Sequence, residues 1–334
     1  MRTGRYIGID YLRAFFSVCV VLVHLGYISK SAIFNKDEYV RHTLIVSDFI
    51  NFYLLLLAVP IFLIVSNYLF YQKQEEKFIL IRYLERIGKL AVFWVFVHQI
   101  FRYQGWGFIQ WLPNTLKENL FFVMSGGHTI YYFFVSLAGL TIITHFAKRL
   151  NLFYVSVFFV ATVALVSVLP ILSIATEQFM LSVHWSPLNF LPYPFAAILV
   201  FHVARMEKSK ISLILTIIAG FLIILSVLAD WSVYVHMGFF KVNVYAIPAY
   251  TRPSLVFISM AFLFISIKAT PRSNSVVLFM SNNSLALYCL HPFFVKPAKD
   301  LSNGNLLVSL ILVLVLSYTS AAIIKQFIQR ELIE

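Results

Sequence analysis

The chain has 334 residues, of which 60% are hydrophobic and only 12% charged, whereas a soluble domain carries about a quarter charged residues. With a mean hydropathy of +0.85, this composition excludes a soluble globular protein. The net charge of +12 does not point to nucleic acid, because membrane proteins accumulate Lys and Arg in their cytoplasmic loops. Two cysteines, Cys19 and Cys289, both inside apolar runs, exclude a disulfide framework and cannot complete a structural zinc site.

The charged positions are clustered between apolar runs of roughly 17–25 residues, the length that crosses ~30 Å of hydrocarbon. About ten spans follow in chain order, near 7–29, 48–71, 83–103, 128–147, 152–171, 188–205, 211–229, 253–268, 280–298 and 304–326. The expected fold is therefore an all-α, polytopic transmembrane helix bundle, a single membrane-embedded domain over 1–334. An even number of spans puts both termini on one side. With that side cytoplasmic, sixteen of the 26 Lys and Arg fall in cytoplasmic segments and nine in outer ones, Arg13 lying within the first span. This asymmetry favours cytoplasmic termini.

The first span carries Asp10, Arg13 and His24 inside an otherwise apolar run. At 100° per residue, the eleven positions from Arg13 to His24 return to within ~20° of one helix face, and Asp10 lies within ~40° of His24. Ser17 is on the same stripe. Ionisable groups on a membrane helix cost several kcal/mol against lipid, so the stripe is expected to face a protein interior or a water-filled cavity. Arg2 and Arg5 give the N-terminus the look of a signal peptide. No small-x-small cleavage site follows His24, and Asp10 and Arg13 interrupt the start, so it reads as an uncleaved helix. A cation near the cytoplasmic face with an imidazole ~16 Å deeper suits an elongated anionic donor such as acyl-CoA. The plainer alternative is an Asp10–Arg13 structural ion pair with His24 a core histidine.

The second span contains Ser66 and Asn67, and the third opens on a basic cluster with Arg82, Arg86 and Lys89 on one face by i,i+4 and i,i+3 spacing. Paired guanidinium donors match a diphosphate; ordinary positive-inside flanking is the alternative. His128 follows Gly126-Gly127 at an outer helix start, where an acceptor pocket or an aromatic belt fits. In the ninth span Tyr288 and His291 are i,i+3, and Pro292 frees a backbone carbonyl near them. His291 reads equally as a second acid/base or as a packing donor. His98, His145 and His202 have no polar company at helical spacing and read as structural. Glu177, His184, Asp230 and His236 lie in outer segments with no ranking among them. Walker A, GxGxxG, GxSxG and HExxH motifs are absent.

On these residues the chain resembles the acyltransferase 3 family of polytopic membrane proteins. Asp10-Tyr-Leu-Arg13-Ala14 is similar to the family's Asp-x-Leu-Arg-Ala opening, and Arg13 with His24 reproduces its Arg-x10-His pattern. Val59-Pro-Ile-Phe-Leu-Ile-Val-Ser66-Asn67-Tyr68 is similar to its Pro-x-Phe…Ser-Gly-Phe run, with Asn67 in place of glycine. Tyr288 and His291 fit its Tyr-x-x-His. The family's Arg-Arg-x-x-Arg is present only as Arg82 and Arg86, with Tyr83 between them and no proline following.

The resemblance implies transfer of an acyl group, most often acetyl, from cytoplasmic acyl-CoA to a hydroxyl of an envelope polysaccharide or lipid-linked sugar. It implies a bacterial plasma (inner) membrane location, among membrane lipids, without metal or nucleic acid. The chain resembles the stand-alone members that lack a fused esterase-like domain. His24 and Asp10 are the expected catalytic residues, Arg13, Arg82 and Arg86 the expected acyl-CoA contacts, and Ser66, His128, Tyr288 and His291 the acceptor or supporting contacts. His24 is either general base or transient acyl acceptor. The aromatic outer segments around Trp106, Trp111 and Trp231 are expected to border a sugar. The competing reading is an anion- or proton-coupled transporter. Transporters often repeat their site in paired half-sequences, and this charged stripe occurs once.

Overall fold

The computed structural model describes residues 5–26, 46–73, 78–105, 115–175, 186–206, 210–236 and 250–327. Among them the fold is all-α. Helix α1 (Ile7–Leu25) stops at Gly26, whose left-handed backbone (φ 70°) lets its N–H reach the carbonyls of Leu22 and Val23, a glycine stop that leaves His24 in the last turn. α2 (Val46–Tyr53) leads through a short 3-10 turn, Leu55–Leu57, into α3 (Ala58–Gln72). α4 (Ile79–Arg102) follows. α5 (Leu116–Met124) opens with a reciprocal capping box between Thr115 and Glu118. α6 (Tyr132–Ala147) and α7 (Leu152–Ala175) come next, then α8 (Pro192–Arg205), α9 (Lys210–His236) and α10 (Pro253–Lys268). α8 and α10 each begin on a proline, whose missing N–H costs nothing in the first turn.

The expected ninth span, 280–298, is divided. α11 (Ser275–Asn282) and α12 (Ser284–Leu301) meet at Asn283, and α13 (Leu306–Phe327) completes the chain. At Asn283 the side-chain amide donates to the Phe279 carbonyl at 2.7 Å and Lys325 Nζ donates to its Oδ1 at 3.1 Å. A side chain that bonds the preceding turn bends a helix, and the bend carries Ser281 and Ser284 toward α1.

The helices long and apolar enough to cross a membrane include Ile7–Leu25, Phe49–Gln72, Leu152–Pro170, Pro187–Arg205 and Leu306–Lys325. They sort into inner and outer positions. The Phe49–Gln72 segment is 72% buried within the protein, whereas Leu152–Pro170 is only 17% buried. α3 is apolar all round, and its Ile61, Leu63, Ile64 and Val65 are all enclosed, the pattern of a helix packed on every side. α1 touches α3, α10, α11, α12 and α13. α7, α9 and α13 instead present Phe153, Phe158, Phe221, Ile224, Ile311 and Val315 outward. In water these would form large apolar patches; against acyl chains they are the expected surface.

Candidate functional site

The α1 stripe faces protein at Asp10, Arg13 and Ser17 and ends at an exposed His24. Ser281 Oγ donates to Asp10 Oδ1 at 2.8 Å, Arg13 Nη2 donates to Ser284 Oγ at 3.0 Å, and the His24 ring lies 4.9 Å from the His291 ring, centroid to centroid. These three contacts run up α11 and α12 in step with α1, so the two segments lie side by side and parallel. Ser17, also on the stripe, is buried and donates to the Ala14 carbonyl at 2.7 Å.

The i,i+3 ion pair between Asp10 and Arg13 does not form. Asp10 instead binds Arg5 through two oxygens, at 2.6 and 3.1 Å, while Arg5 also donates to Asn282 Oδ1 at 2.9 Å. Asp10 is ~21 Å along the helix axis from His24, so the structure does not bring these two expected catalytic residues together. Asp10 ties the approach to α1 onto α11, and this leaves the Arg13 guanidinium free of a carboxylate partner among the described residues.

Arg13 opens onto a cavity of about 290 Å³ that is also lined by Ser66, Lys73, Tyr83, Arg86, Phe133, Phe134, Ser284 and Tyr288. Among the described residues no acidic side chain lines it. Three cations from α1, the end of α3 and the start of α4 thus surround one space, the arrangement expected for an anionic ligand. The register of α4 decides which of its basic residues takes part. Tyr83, Arg86, Ile87 and Leu90 line the cavity, whereas Arg82 is exposed and does not. Glu85 and Lys89 pair with each other at 2.7 Å on the outer face. Arg82 is therefore separated from Arg86, with which sequence spacing had grouped it, and Lys73 joins in its place. Lys73 Nζ sits 5.2 Å from the Tyr83 ring centre, within cation–π range. A second opening of about 480 Å³, lined by Arg5, Tyr6, Asp10, Gln72 and Asn282, shares Arg13 and Lys73 with this cavity.

At the other end of α1 lies a chamber of about 530 Å³ lined by His24, His98, His128, Thr129, Tyr132, Tyr250 and Tyr288. His24 is accessible within it. His291 is fully buried, and its Nδ1 lies 3.1 Å from the Leu287 carbonyl. A carbonyl only accepts, so Nδ1 is the donor and Nε2 of the neutral ring is an acceptor. That Nε2 is buried and meets no hydrogen-bond partner among the described residues.

His128 is held at the chamber wall by Ser125, whose Oγ lies 3.0 Å from Nδ1. The turn before it requires glycine, because a Cβ on Gly127, at φ +70°, would come within 2.9 Å of Gln99 Nε2. His98, expected to be structural, proves to line the same chamber, and its buried Nδ1 has no hydrogen-bond partner among the described residues. The signal for His98 lies in the residue beside it: Gln99 donates to the Gly127 carbonyl at 2.5 Å, locking α4 to the turn that carries His128. His202 behaves differently, meeting the Tyr71 hydroxyl at 3.2 Å.

The Asn67 that stands where the resemblance expects glycine is fully enclosed. It donates to the Leu63 carbonyl at 2.8 Å and accepts from Thr144 Oγ1 at 2.6 Å. Asp230 is buried and accepts a hydrogen bond from Ser254 Oγ, while Arg252 donates to the Phe52 carbonyl at 2.8 Å; both belong to the interior, not to an outer surface. Trp106, Trp111, Glu177 and His184, and the side chains of Trp231 and His236, lie outside the described residues.

The chain is thus a helical membrane protein with a cationic cavity and an imidazole-lined chamber at opposite ends of its first helix. It belongs to the acyltransferase 3 family: that family's model, described as an acyltransferase domain, matches residues 6–325, making the protein a membrane acyltransferase. Comparison with curated proteins and with solved structures gave no match.

Proposed function

We propose that the protein is an integral-membrane O-acyltransferase moving an acyl group, acetyl foremost, from cytoplasmic acyl-CoA to a hydroxyl of an envelope polysaccharide or lipid-linked sugar. The observation that carries this reading is the placement of the two spaces. Arg13 and Arg86 line one, His24 lines the other, and Tyr288 lines both. An elongated donor with phosphates at one end and a thioester at the other fits such a pair.

Arg13 and Arg86, with Lys73, hold the CoA phosphates, Arg supplying paired donors and Lys a point charge. Ser66 and Ser284 offer hydroxyls in the same space. At the chamber, the acceptor oxygen attacks the thioester carbonyl, the C–S bond breaks, and the hydroxyl proton ends on the departing CoA sulfur. His24 takes that proton and returns it. His291 lies against the His24 ring, 4.9 Å between centroids, and positions that ring by packing. His98 and His128 bound the acceptor side. In this reading the chain forms one domain with ten crossings, in a bacterial plasma membrane, with both termini and the Arg13 cavity facing the cytoplasm.

The test is mass spectrometry of envelope polysaccharide and lipid-linked sugars from cells with and without the protein. An acyl increment present only with the protein is expected. Identical glycans from both strains, with the protein abundant in the membrane, would remove the glycan from the proposal.

A further inference from the structure

Tyr288 is the one residue that lines both the cationic cavity and the His24 chamber among their described linings. It sits on α12 between Ser284, which contacts Arg13, and His291, which contacts His24. Its side chain is only 6% exposed. A ligand that occupied both spaces would border this ring in each of them.

The ring is fixed. Its hydroxyl donates to the Ile130 carbonyl. One residue further along each segment, the Tyr131 hydroxyl donates back to the Cys289 carbonyl at 2.8 Å. The two phenols therefore tie α12 to the 130–131 turn in both directions. Phe133 stands 5.1 Å and Phe134 6.2 Å from the Tyr288 ring centre, with His291 at 6.1 Å on the chamber side. Aromatic contacts at these separations are favourable in their own right, so a wall made this way does not yield readily to a wider ligand.

The chamber beyond the wall is roomy. At about 530 Å³ it falls within the roughly 300–1,000 Å³ of pockets that enclose whole small molecules. Acyl selection is therefore not set by space beside His24. A linear acyl chain is no wider than the unbranched β-alanyl and cysteamine portion of the arm that carries it, whereas a chain branched next to the carbonyl is wider than that portion; the gem-dimethyl carbon of the arm lies at its phosphate end.

Resting on the acyl-transfer reading above, we propose that Tyr288 is a specificity-determining residue that filters the acyl group by width: linear acyl groups pass, and those branched at the carbon next to the carbonyl are rejected.

The experiment compares n-butyryl-CoA with isobutyryl-CoA, isomers of equal size and unequal width. Thiol release by the full-length protein in inverted membrane vesicles of its own cells, which hold the acceptor, is followed with each donor, with acetyl-CoA as reference and vesicles lacking the protein as the blank. The wild type is expected to favour the linear isomer in kcat/KM by about tenfold or more, the scale on which apolar sites discriminate a methylene. Tyr288→Phe, which keeps the ring, is expected to retain the preference, and Tyr288→Ala to bring the two isomers close to parity. Equal use of both isomers by the wild type overturns the proposal without any variant. An unchanged preference in Tyr288→Ala overturns it too. Should Tyr288→Ala fail to fold, Tyr288→Leu carries the same expectation in weaker form. No thiol release by the wild type from any of the three donors sinks the acyl-CoA reading itself, a failure distinct from that of the width filter.

Discussion

His24→Ala is expected to lower acyl transfer by about 10²–10⁴-fold, the usual contribution of a positioned acid/base group, with the protein still inserted and abundant. The chemistry and the fold separate cleanly at this residue. His24 occupies the last turn of α1 before Gly26 and is accessible in the chamber. Its neighbours Val20, Val21 and Leu25 are buried and carry the packing of that end of the helix. Truncating the imidazole removes ring contact with His291 and leaves that apolar anchor in place. Labelled acetyl incorporation, normalised to the amount of protein in the membrane, gives the answer. Wild-type incorporation in a well-expressed His24→Ala strain would refute its catalytic role.

Arg86→Ala and Arg13→Ala are expected to lower kcat/KM for acyl-CoA by roughly 10- to 100-fold each, mainly through KM. This is the scale of losing a hydrogen bond to a charged group. Both guanidinium groups line the same cavity, with no acidic side chain among its described lining residues. Arg86→Lys is expected to recover only part of the loss, because an ammonium cannot reproduce two parallel donors. Arg82→Ala is the informative control. Both arginines are exposed on the same helix and belong to the same basic cluster, yet Arg82 is outside the cavity lining, so its effect should be clearly smaller. Kinetics against acyl-CoA concentration decide the matter. Equal effects at 82 and 86, or an unchanged KM in both Arg13→Ala and Arg86→Ala, would make these residues topological anchors.

The all-α membrane class and the first-helix stripe were legible in the sequence because each follows from a local rule. Hydropathy reports spans, and a 100° repeat places Asp10, Arg13 and His24 on one face. The partners were not legible. Arg5 lies outside the helical repeat, so periodicity paired Asp10 with Arg13, while in space Arg5 reaches the carboxylate and Arg13 turns to Ser284. His98 shows the same limit, since its company in the chamber comes from α1 and from the turn before α6. The break at Asn283 falls in the polar run Ser281-Asn-Asn-Ser284, which the expected span 280–298 took in as its start; the side-chain bonds to Phe279 and Lys325 mark it in the fold. Within the basic cluster, spacing grouped Arg82 with Arg86, but packing of Ile87 and Leu90 fixed the inward face of α4. Periodicity names a face, and tertiary contact decides what meets it.

The central claim is that acyl donor enters at the Arg13 end from the cytoplasm and leaves as ester at the His24 end outside. Membrane vesicles of the two orientations test it most directly, because acyl-CoA is charged and does not cross a bilayer unaided. Acetyl-labelled acetyl-CoA is added to inverted vesicles, which expose the cytoplasmic face, and to right-side-out vesicles, each containing wild-type or His24→Ala protein. Label should enter the glycan fraction of inverted wild-type vesicles alone, and be lost with His24→Ala. Incorporation confined to right-side-out vesicles, or undiminished by His24→Ala, would contradict the account.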